Sequence, residues 1–287
     1  MGKATRHLAD LHVHTTASDG TLTPEQTVRE ADRLGLAAVG IADHDTIAGV
    51  APALASSVGT GVLVVPAVEI NTDYENDEVH LLGYYIDHES SALGAHLERL
   101  RQARMERAAR IVERLNQLGL NVTLDRVKAI AGKGAIGRPH IARAIVEAGG
   151  ASTLNGAFGK YLVRGAPAFV ERHKLTPFQA VGMIHEARGV AVLAHPGISK
   201  HDELIPELVR SDMQGIEVFH SDHSASQTQH YMEIARRCGL VPTGGSDSHG
   251  PDNMKTIPIG HVTVDMAVVH QLKALAEARR SRRDRPS

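Results

Sequence analysis

The sequence predicts an α/β fold in which one barrel-like sheet is interrupted by a helical insertion. Short apolar runs of strand character alternate with helix-like segments near both ends of the chain, and this alternation is typical of parallel strands joined by crossover helices. The middle of the chain, in contrast, has only helical patterns. A length of 287 residues is sufficient for one large α/β barrel domain.

The first part of the barrel is predicted from alternating segments. In chain order these are the strand LADLHVH, the helix PEQTVREADRLG that begins at Pro24, the strand AAVGIAD, the helix TIAGVAPALASSVG and the strand GVLVVPAVEI, followed by EVHLLGYYI. Carboxylates and imidazoles stand at the ends of these strands. We expect the chemistry there, because α/β barrels and open sheets place their sites at the carboxyl ends of strands.

The helical segment separates two parts of the predicted barrel. Long Arg/Glu-rich and Ala-rich stretches broken by glycines extend from about Ser90 to about Pro167. The β/α alternation then resumes with GVAVLAHP, GIEVF and LVPTGGSDSHG. We therefore expect residues 1–89 and 168–287 to form one barrel, and residues 90–167 to form a helical insertion that caps the substrate.

Composition excludes several classes of protein. The longest apolar runs fall short of the ~20 residues of a membrane helix, and the first residues form no signal peptide, so we expect a cytoplasmic protein without membrane contact. The single cysteine, Cys238, excludes an internal disulfide and a thiolate-rich zinc site. Any metal ion would therefore be bound through nitrogen and oxygen atoms.

The net charge of −2 conceals two concentrations of arginine. One lies between Arg99 and Arg114, and the other is the tail RRSRRDRPS. Charged runs on a helix usually form a solvated face, and here they are interleaved with glutamate. The same positive charge would attract a phosphate-rich substrate, and both readings remain open.

A His-x-His pair ends the first predicted strand. Residues two apart in a strand point to the same side, so His12 and His14 would present two imidazoles to one metal ion. Surface histidine pairs are common, and the pair alone is weak evidence.

Other polar groups at predicted strand ends strengthen the metal-site prediction. They are Asp19, His44, Glu69, His80, His195, Asp247 and His249. Charged groups at a core-facing strand end are costly unless a cation compensates them. Imidazole and carboxylate without thiolate suit Zn, Mn or Fe, and a bridging carboxylate would allow two or three ions to lie about 3.5–4 Å apart.

These residues resemble the PHP (polymerase and histidinol phosphatase) family. The family signature DLHxHTxxSDG is matched by Asp10, Leu11, His12, His14, Thr15, Ser18, Asp19 and Gly20. Later matches are Asp43-His44-Asp45, Val68-Glu69-Ile70, Ala194-His195-Pro196 and Gly245-Ser246-Asp247-Ser248-His249. Together the matching blocks span nearly the whole chain.

The resemblance implies a distorted (β/α)7 barrel with three divalent metal ions at the carboxyl ends of its strands. The implied ligands are His12, His14, Glu69 and Asp247 for one ion, the shared Glu69 with His80 and His195 for a second, and Asp19, His44 and His249 for a third.

Within the family, the chain is similar to small phosphoesterases that act on nucleotides, including 3′,5′-nucleotide bisphosphatases and a 5′-to-3′ exoribonuclease. Their substrate-side elements are matched by Arg138, His140, Lys160, Tyr161, His223 and Ser224. The chain departs from the expected Gly-Lys-Pro-Ala-Tyr-Val, because residues 165–170 read GAPAFV. This departure removes a possible substrate contact and leaves the substrate open.

The expected reaction is direct attack at phosphorus by a metal-bridging hydroxide that forms from bound water. Bound metal ions lower the pKa of water to about 7. Arg138 would clamp the phosphate, and His223 or His140 would protonate the leaving alcohol, since a metal-bound His195 cannot easily do so. Alternatively, Arg138 and His140 could form an ordinary helix start, and Lys160 with Tyr161 a helix end whose aromatic ring packs inward.

The remaining histidines match no motif, and we interpret them as surface or packing residues. They are His7, His88, His96, His173, His185, His201, His220, His230, His261 and His270.

The leading hypothesis is a hydrolase of nucleotide phosphate esters: a nucleoside 5′-monophosphate, a 3′,5′-bisphosphate or the 5′ end of short RNA. An aromatic content of 3% without Trp leaves few stacking platforms for a long strand and favours short substrates. The alternative is a non-catalytic, metal-stabilised module that binds nucleic acid or a protein partner, and the complete ligand set argues against it. Hydrolysis of a C–N bond lacks the expected metal-bridging lysine. No obligate protein partner is indicated.

Overall fold

The computed structural model describes residues 6–75, 77–132, 136–171, 175–251 and 257–283. The chain divides into two compact units. The barrel unit comprises Met1–His96 and Leu175–Ser287, and the helical unit comprises Leu97–Lys174.

The barrel unit is built on an eight-stranded mixed sheet of order β7-β6-β5-β4-β3-β2-β1-β8. Its strands are β1 (Leu8–Val13), β2 (Ala38–Ile41), β3 (Leu63–Tyr74), β4 (Asp77–Tyr84), β5 (Val190–Leu193), β6 (Gly215–His220), β7 (Val241–Gly245) and β8 (Val264–Asp265). The strands β1, β2 and β3 pair in parallel, as do β5, β6 and β7. The strand β4 is antiparallel to both of its neighbours.

The sheet nearly closes on itself, because the segment after β7 meets the end of β1. The amide of His14 donates to the carbonyl of Ser248 over 2.9 Å, and the amide of Asp247 donates to the carbonyl of His12 over 2.9 Å. The predicted α/β barrel fold is therefore confirmed.

The antiparallel pairing of β3 with β4 differs from the uniformly parallel alternation that the sequence predicts. Glu69 does not end a strand: β3 continues to Tyr74, and Asn71 pairs with His80. The pairing partner extends β3 beyond its apolar run. His80 consequently lies beside the middle of β3 rather than at a separate strand end.

Eleven α-helices are described, some in each of the two units. Their bounds are α1 (Pro24–Arg33), α2 (Val50–Ser57), α3 (Ser91–Gln117), α4 (Leu124–Ala131), α5 (Arg138–Glu147), α6 (Leu154–Ala157), α7 (Pro177–Glu186), α8 (Pro196–Ser199), α9 (Ile205–Arg210), α10 (Ala225–Cys238) and α11 (Met266–Arg283). A π-helix spans Phe158–Leu162, and a 3-10 turn spans Asp202–Leu204. No helix within the described ranges is long and apolar enough to cross a membrane.

Helix starts follow from the local sequence. Thr23 accepts a hydrogen bond from the amide of Gln26, whose side chain accepts one from the amide of Thr23. The helix α1 begins at the next residue, Pro24, whose fixed φ suits a first turn. Thr176 caps α7 in the same way, with Pro177 in its first turn. These reciprocal bonds satisfy amides that no helical carbonyl can reach.

The barrel unit has apolar side chains on both sides of its sheet. Leu11, Val65, Leu82 and Val192 belong to a buried cluster that also includes Leu272 of α11. A second cluster packs side chains of α1 and α2 against β2 and β3. This burial fixes the strands whose ends carry the polar groups.

The helical unit has an apolar core of its own. Its buried members include Ile111, Leu115 and Ile141. Two arginines of the Arg-rich segment bind backbone carbonyls within this unit: Arg107 donates to Val170 over 2.7 Å, and Arg114 donates to Phe169. Part of the positive charge of α3 therefore stabilises the unit that contains it.

Candidate metal centre

A buried carboxylate, Glu69 of β3, lies among five imidazoles from β1, β4 and the segments that follow β1, β2 and β5. The Glu69 side chain is fully buried. Its Oε1 lies 2.7 Å from Nδ1 of His80 and 2.9 Å from Nε2 of His195. Its Oε2 lies 2.9 Å from Nδ1 of His44, 3.3 Å from Nε2 of His14 and 3.4 Å from Nε2 of His12. Each oxygen of one carboxylate thus faces its own group of possible metal ligands.

The His12/His14 pair at the end of β1 faces Glu69. The two Nε2 atoms lie 3.2 Å apart, and both rings are buried. Oδ1 of Asp247 lies 3.0 Å from Nε2 of His14 and 3.5 Å from Nε2 of His12. Two imidazoles and two carboxylates therefore surround one position.

A second group of side chains surrounds Asp19, which follows β1. Its Oδ1 lies 3.4 Å from Nε2 of His249 and 3.7 Å from Nδ1 of His14. Its Oδ2 lies 3.9 Å from Nε2 of His44. In this set of four residues, each can offer one ligand atom within 4.8 Å of all the others.

The turn that carries Asp19 is anchored by Asp43, which follows β2. The Asp43 carboxylate accepts hydrogen bonds from the amide of Thr15 at 2.7 Å, the Thr15 hydroxyl at 2.8 Å and the Ser18 hydroxyl at 2.6 Å. The turn also requires glycine at position 20, since a Cβ there would lie 2.5 Å from the carbonyl oxygen of His14.

Asp10 anchors the segment that carries Asp247 and His249. Its carboxylate accepts from the amide of Ser246 at 2.9 Å, the Ser246 hydroxyl at 2.6 Å and the amide of Gly260 at 2.8 Å. Burial raises the pKa of Asp10 to about 6. The first and last motifs of the sequence are thereby joined directly.

The strand β6 adds two polar side chains that sequence reasoning did not assign to the site. Glu217 is fully buried and lies 3.0 Å from Nδ1 of His12. His220 was interpreted as a surface or packing residue, yet its Nε2 lies 3.4 Å from Oδ2 of Asp247. The available signal was Glu217 itself, because a carboxylate inside the apolar run GIEVF needs a compensating partner.

The donor set fits divalent cations. Nδ1 of His14 and Nδ1 of His195 are buried without a hydrogen-bond partner among the described residues. Burial raises the pKa of Glu69, but the charges of His44, His80 and His12 outweigh it and hold that pKa well below its usual range. Buried lone pairs beside ionised carboxylates are what a cation of mixed N/O coordination requires.

Two of the candidate ligands lie on strained backbone. His195 has a φ of 25° and precedes Pro196, and Asp247 has a φ of 54°. Residues other than glycine rarely adopt a positive φ, and those that do are concentrated at functional sites.

The loop after β6 positions His223 and Ser224 as structural partners. Nδ1 of His223 donates to the carbonyl of Val218 over 2.9 Å, and its Nε2 accepts from the amide of Gly197 over 3.1 Å. Ser224 caps α10 through a reciprocal pair of bonds with Gln227. Both nitrogens of His223 are therefore occupied by backbone groups.

Four predicted substrate-side residues lie in the helical unit. Arg138 begins α5, and Nδ1 of His140 accepts from the amide of Gly137 over 3.0 Å. Lys160 and Tyr161 lie in the π-helix, where Nζ and the hydroxyl each lie 3.3 Å from the carbonyl oxygen of Gly150. The Tyr161 ring is buried, and Lys160 is exposed.

Other histidines that match no motif form ordinary local contacts. His201 bonds to Glu203 at 2.7 Å, and His230 bonds to Asp202 at 2.6 Å. His173 lies outside the described residues.

Comparison with known proteins supplies the family. Residues 10–93 match the PHP domain. The chain is 37% identical over 249 residues to the 5′-3′ exoribonuclease Rnm of Escherichia coli. The matched region covers 84% of this chain and 85% of that protein. The chain is also 34% identical over 250 residues to the 3′,5′-nucleoside bisphosphate phosphatase of Chromobacterium violaceum, at 84% and 87% coverage.

A solved structure agrees with these relatives. A protein of Bifidobacterium adolescentis, provisionally named a metal-dependent phosphoesterase, superposes with a TM-score of 0.82 and 33% identity over 93% of this chain and 96% of that chain. The chain therefore belongs to the PHP family of metal-dependent phosphoesterases.

Proposed function

We propose that this enzyme hydrolyses phosphate esters of nucleotides, with a nucleoside 5′-monophosphate, a 3′,5′-bisphosphate or the 5′ end of short RNA as substrate. The observation that carries the proposal is the position of Glu69, whose two oxygens face separate groups of imidazoles. This is the arrangement a bridging carboxylate needs between two metal ions. The two curated relatives act on an RNA end and on a bisphosphate nucleotide, as their names state.

The proposal assigns three divalent ions, Mn, Zn or Fe, to the centre. The ligands would be His12, His14, Glu69 and Asp247 for the first ion, Glu69, His80 and His195 for the second, and Asp19, His44 and His249 for the third. Ligand atoms of Asp19, His44 and His249 lie within 4.8 Å of one another, as do those of His12, His14 and Glu69, and this supports the first and third groups. The 2.7 Å and 2.9 Å distances from Glu69 to His80 and His195 support the second.

When bound, the ions would supply an activated water at neutral pH and charge that stabilises the phosphoryl oxygens. The residues of the chain would orient and balance this charge. Arg138 would clamp the phosphate through paired N–H groups, and Lys160 would contribute a further substrate contact, with His223 and Ser224 in the loop after β6. Tyr161, whose ring is buried beneath the Lys160 ammonium, would support Lys160 rather than touch the substrate.

The group that protonates the leaving alcohol is proposed to be His140 rather than His223. Nδ1 of His140 accepts a backbone amide, so its neutral ring carries a proton on Nε2. His223 would have to break its bond to Val218 before it could donate.

Short substrates fit the composition. With 3% aromatic residues and no Trp, the chain offers few platforms on which successive bases could stack. A nucleotide substrate and a single, partly buried cysteine are consistent with a cytoplasmic location, which is part of the proposal.

The test is a product assay with metal-free protein reloaded separately with Mn²⁺, Zn²⁺ or Fe²⁺. Nucleoside 5′-monophosphates, 3′,5′-bisphosphates and short 5′-phosphorylated RNA are supplied, and released phosphate and product masses are measured. We expect turnover of at least one class only in reloaded protein. No turnover of any class by fully loaded protein would overturn the nucleotide assignment and favour a binding module.

The same assay separates the substrates. Release of inorganic phosphate from a bisphosphate indicates a phosphatase, whereas mononucleotides released in order from the 5′ end of RNA indicate an exonuclease. Protein with Glu69→Gln is the matched control, since it has the same shape without the shared negative charge.

A further inference from the structure

We propose that His220 is a positioning residue of the metal centre, which donates its Nε2 proton to Oδ2 of Asp247 instead of binding a metal ion. This inference rests on the proposed function, because Asp247 is there a ligand. It concerns a residue on β6 that lies outside the family motifs described above.

The irregular register of β6 brings His220 to the centre. Glu217 pairs with Thr243, but Phe219 pairs with Gly244, so Val218 is an extra residue in the strand. Such a bulge changes the direction of the following side chains. In a regular strand Glu217 and His220 would point to opposite faces, whereas here both approach His12.

The hydrogen bond at Nδ1 determines which nitrogen of His220 carries the proton. The amide of Asp222 donates to Nδ1 over 3.1 Å, so Nδ1 offers its lone pair. A neutral imidazole that accepts at one nitrogen carries its proton on the other. Nε2 of His220 is therefore a donor, and it has no lone pair for a metal ion.

Two candidate ligands show the opposite arrangement. Nδ1 of His12 lies 3.0 Å from a Glu217 carboxylate oxygen, and Nδ1 of His249 lies 3.0 Å from the carbonyl oxygen of Asp247. Each acceptor holds the proton on Nδ1 and leaves the lone pair of Nε2 directed into the centre. His220 differs from both because its neighbour at Nδ1 is a donor.

The two oxygens of the Asp247 carboxylate face different histidines. Oδ1 faces Nε2 of His14 at 3.0 Å, and Oδ2 faces Nε2 of His220 at 3.4 Å. The His220 side chain is fully buried, and its Nε2 forms no other hydrogen bond within the described part of the chain, so the 3.4 Å approach to Oδ2 is the polar contact open to it. A donor at Oδ2 would hold the carboxylate so that Oδ1 remains directed toward the imidazoles of β1.

Packing alone would not require a donor at this position. The His220 ring lies 5.3 Å from the ring of His195 and 5.3 Å from that of His223, so an apolar side chain could occupy much of the same volume. A buried polar nitrogen directed at a carboxylate is costly unless the contact is used. This difference between packing and donation is what the experiment measures.

The test compares His220→Gln with His220→Asn. The Gln amide can reach the position of Nε2 and keeps a donor near Asp247, whereas Asn keeps only an acceptor near the Asp222 amide. Metal-free wild type and both variants are titrated with Zn²⁺ alone, bound ions are counted by elemental analysis, and Kd values are measured by competition with a chromogenic chelator. Turnover numbers are measured on loaded protein.

We expect all three proteins to bind the same number of ions. The Gln variant should keep a Kd within about threefold of wild type, and the Asn variant should bind about 10- to 100-fold more weakly with a lower kcat, as for other residues that orient metal ligands. Thermal unfolding of the metal-free proteins checks the fold. If the Asn variant is unfolded, His220→Met, which has the length of Gln without its donor, takes its place.

Two results would overturn the proposal. The loss of one bound ion in both variants would make His220 a ligand, and wild-type Kd and kcat in both would make it a packing residue. A wild-type protein that binds no Zn²⁺ would instead show that the metal centre itself is wrong, and the role of His220 would fall with it.

Discussion

Nδ1 of His12 lies 3.0 Å from Oε1 of Glu217, and both side chains are fully buried. Oε2 of the same carboxylate accepts a hydrogen bond from the backbone amide of His195 over 2.8 Å. One side chain of β6 thus fixes the proton of His12 on Nδ1 and also holds the backbone of a second candidate ligand. In the proposed metal centre, Glu217 would thus direct the lone pair of Nε2 of His12 toward an ion without binding that ion itself.

Replacement of Glu217 with Gln should weaken metal binding by about 10- to 100-fold. The Gln side chain has one acceptor oxygen, so it can accept a hydrogen bond from either the His12 ring or the His195 amide. At the other position its own N–H groups face an N–H donor, and no hydrogen bond can form. Zn²⁺ titration of metal-free protein measures the effect. Glu233→Gln, on the exposed face of α10, is the control and should match wild type; equal affinities in both variants would contradict the role of Glu217.

Replacement of Asp43 with Asn should lower the free energy of unfolding of metal-free protein by about 1–3 kcal/mol. The buried Asp43 carboxylate accepts three hydrogen bonds from Thr15 and Ser18, and an amide nitrogen cannot accept the bond at its position. Urea denaturation gives the free energy. Asp125→Asn, at an exposed position, is the control, and an unchanged midpoint for Asp43→Asn would show that the turn does not depend on this anchor.

Sequence patterns predicted the barrel because apolar periodicity records which strands and helices are buried. They did not predict that β4 runs antiparallel to its neighbours, because periodicity contains no strand direction. For the same reason Glu69 was placed at a strand end, although pairing with β4 extends β3 to Tyr74.

The candidate ligands could be predicted from the sequence because they lie in short motifs. The residues of β6 that contact them, Glu217 and His220, could not. His220 reaches the centre only through the irregular register between Glu217 and Phe219, and register is a property of the pairing with β7. A strand read with regular alternation would point His220 away from Glu217. Tautomers likewise depend on neighbours such as the Asp222 amide, which only the folded chain brings into place.

Metal affinity should rise with pH between about pH 7 and about pH 9. Burial lowers the pKa of His80, but the charge and hydrogen bond of Glu69 outweigh it and raise that pKa to about 9 in metal-free protein. The proton must leave before the imidazole can bind an ion, so Kd should fall by up to about tenfold per pH unit for each proton displaced. Proton release on Zn²⁺ addition, followed with an indicator dye, measures this directly.

The stability of the metal-free protein should change in the opposite direction. A histidine whose pKa is raised on folding contributes stability that is complete below its unfolded pKa of about 6.5 and is lost as pH rises through about 9. Unfolding midpoints of metal-free protein should therefore fall over this range. A pH-independent Kd with no proton release would contradict the ionised state of His80.

Substitutions of Lys160 and Tyr161 should affect different properties, KM for Lys160 and stability for Tyr161. Tyr161 is buried and its hydroxyl lies 3.3 Å from the Gly150 carbonyl, so Tyr161→Phe should cost about 0.5–1.5 kcal/mol of stability and leave KM unchanged. Lys160 is exposed, so Lys160→Met should leave stability nearly unchanged and raise KM for a charged nucleotide. Denaturation curves and steady-state kinetics on both variants test the division, and a raised KM for Tyr161→Phe alone would reverse it.

Replacement of Asp19 with Asn should lower kcat by about 100- to 1000-fold while the fold is retained. Asp19 lies on the turn anchored by Asp43, and its carboxylate faces His14, His44 and His249 rather than the apolar core. The amide has the same shape but no negative charge, so one ion should bind weakly or be lost. Metal content and kcat are measured on the same preparation, with Asp125→Asn at an exposed position of α4 as a control. Full turnover with one ion fewer would show that the ion at Asp19 takes no part in the reaction, whereas full turnover with all ions bound would show that Asp19 is not one of their ligands.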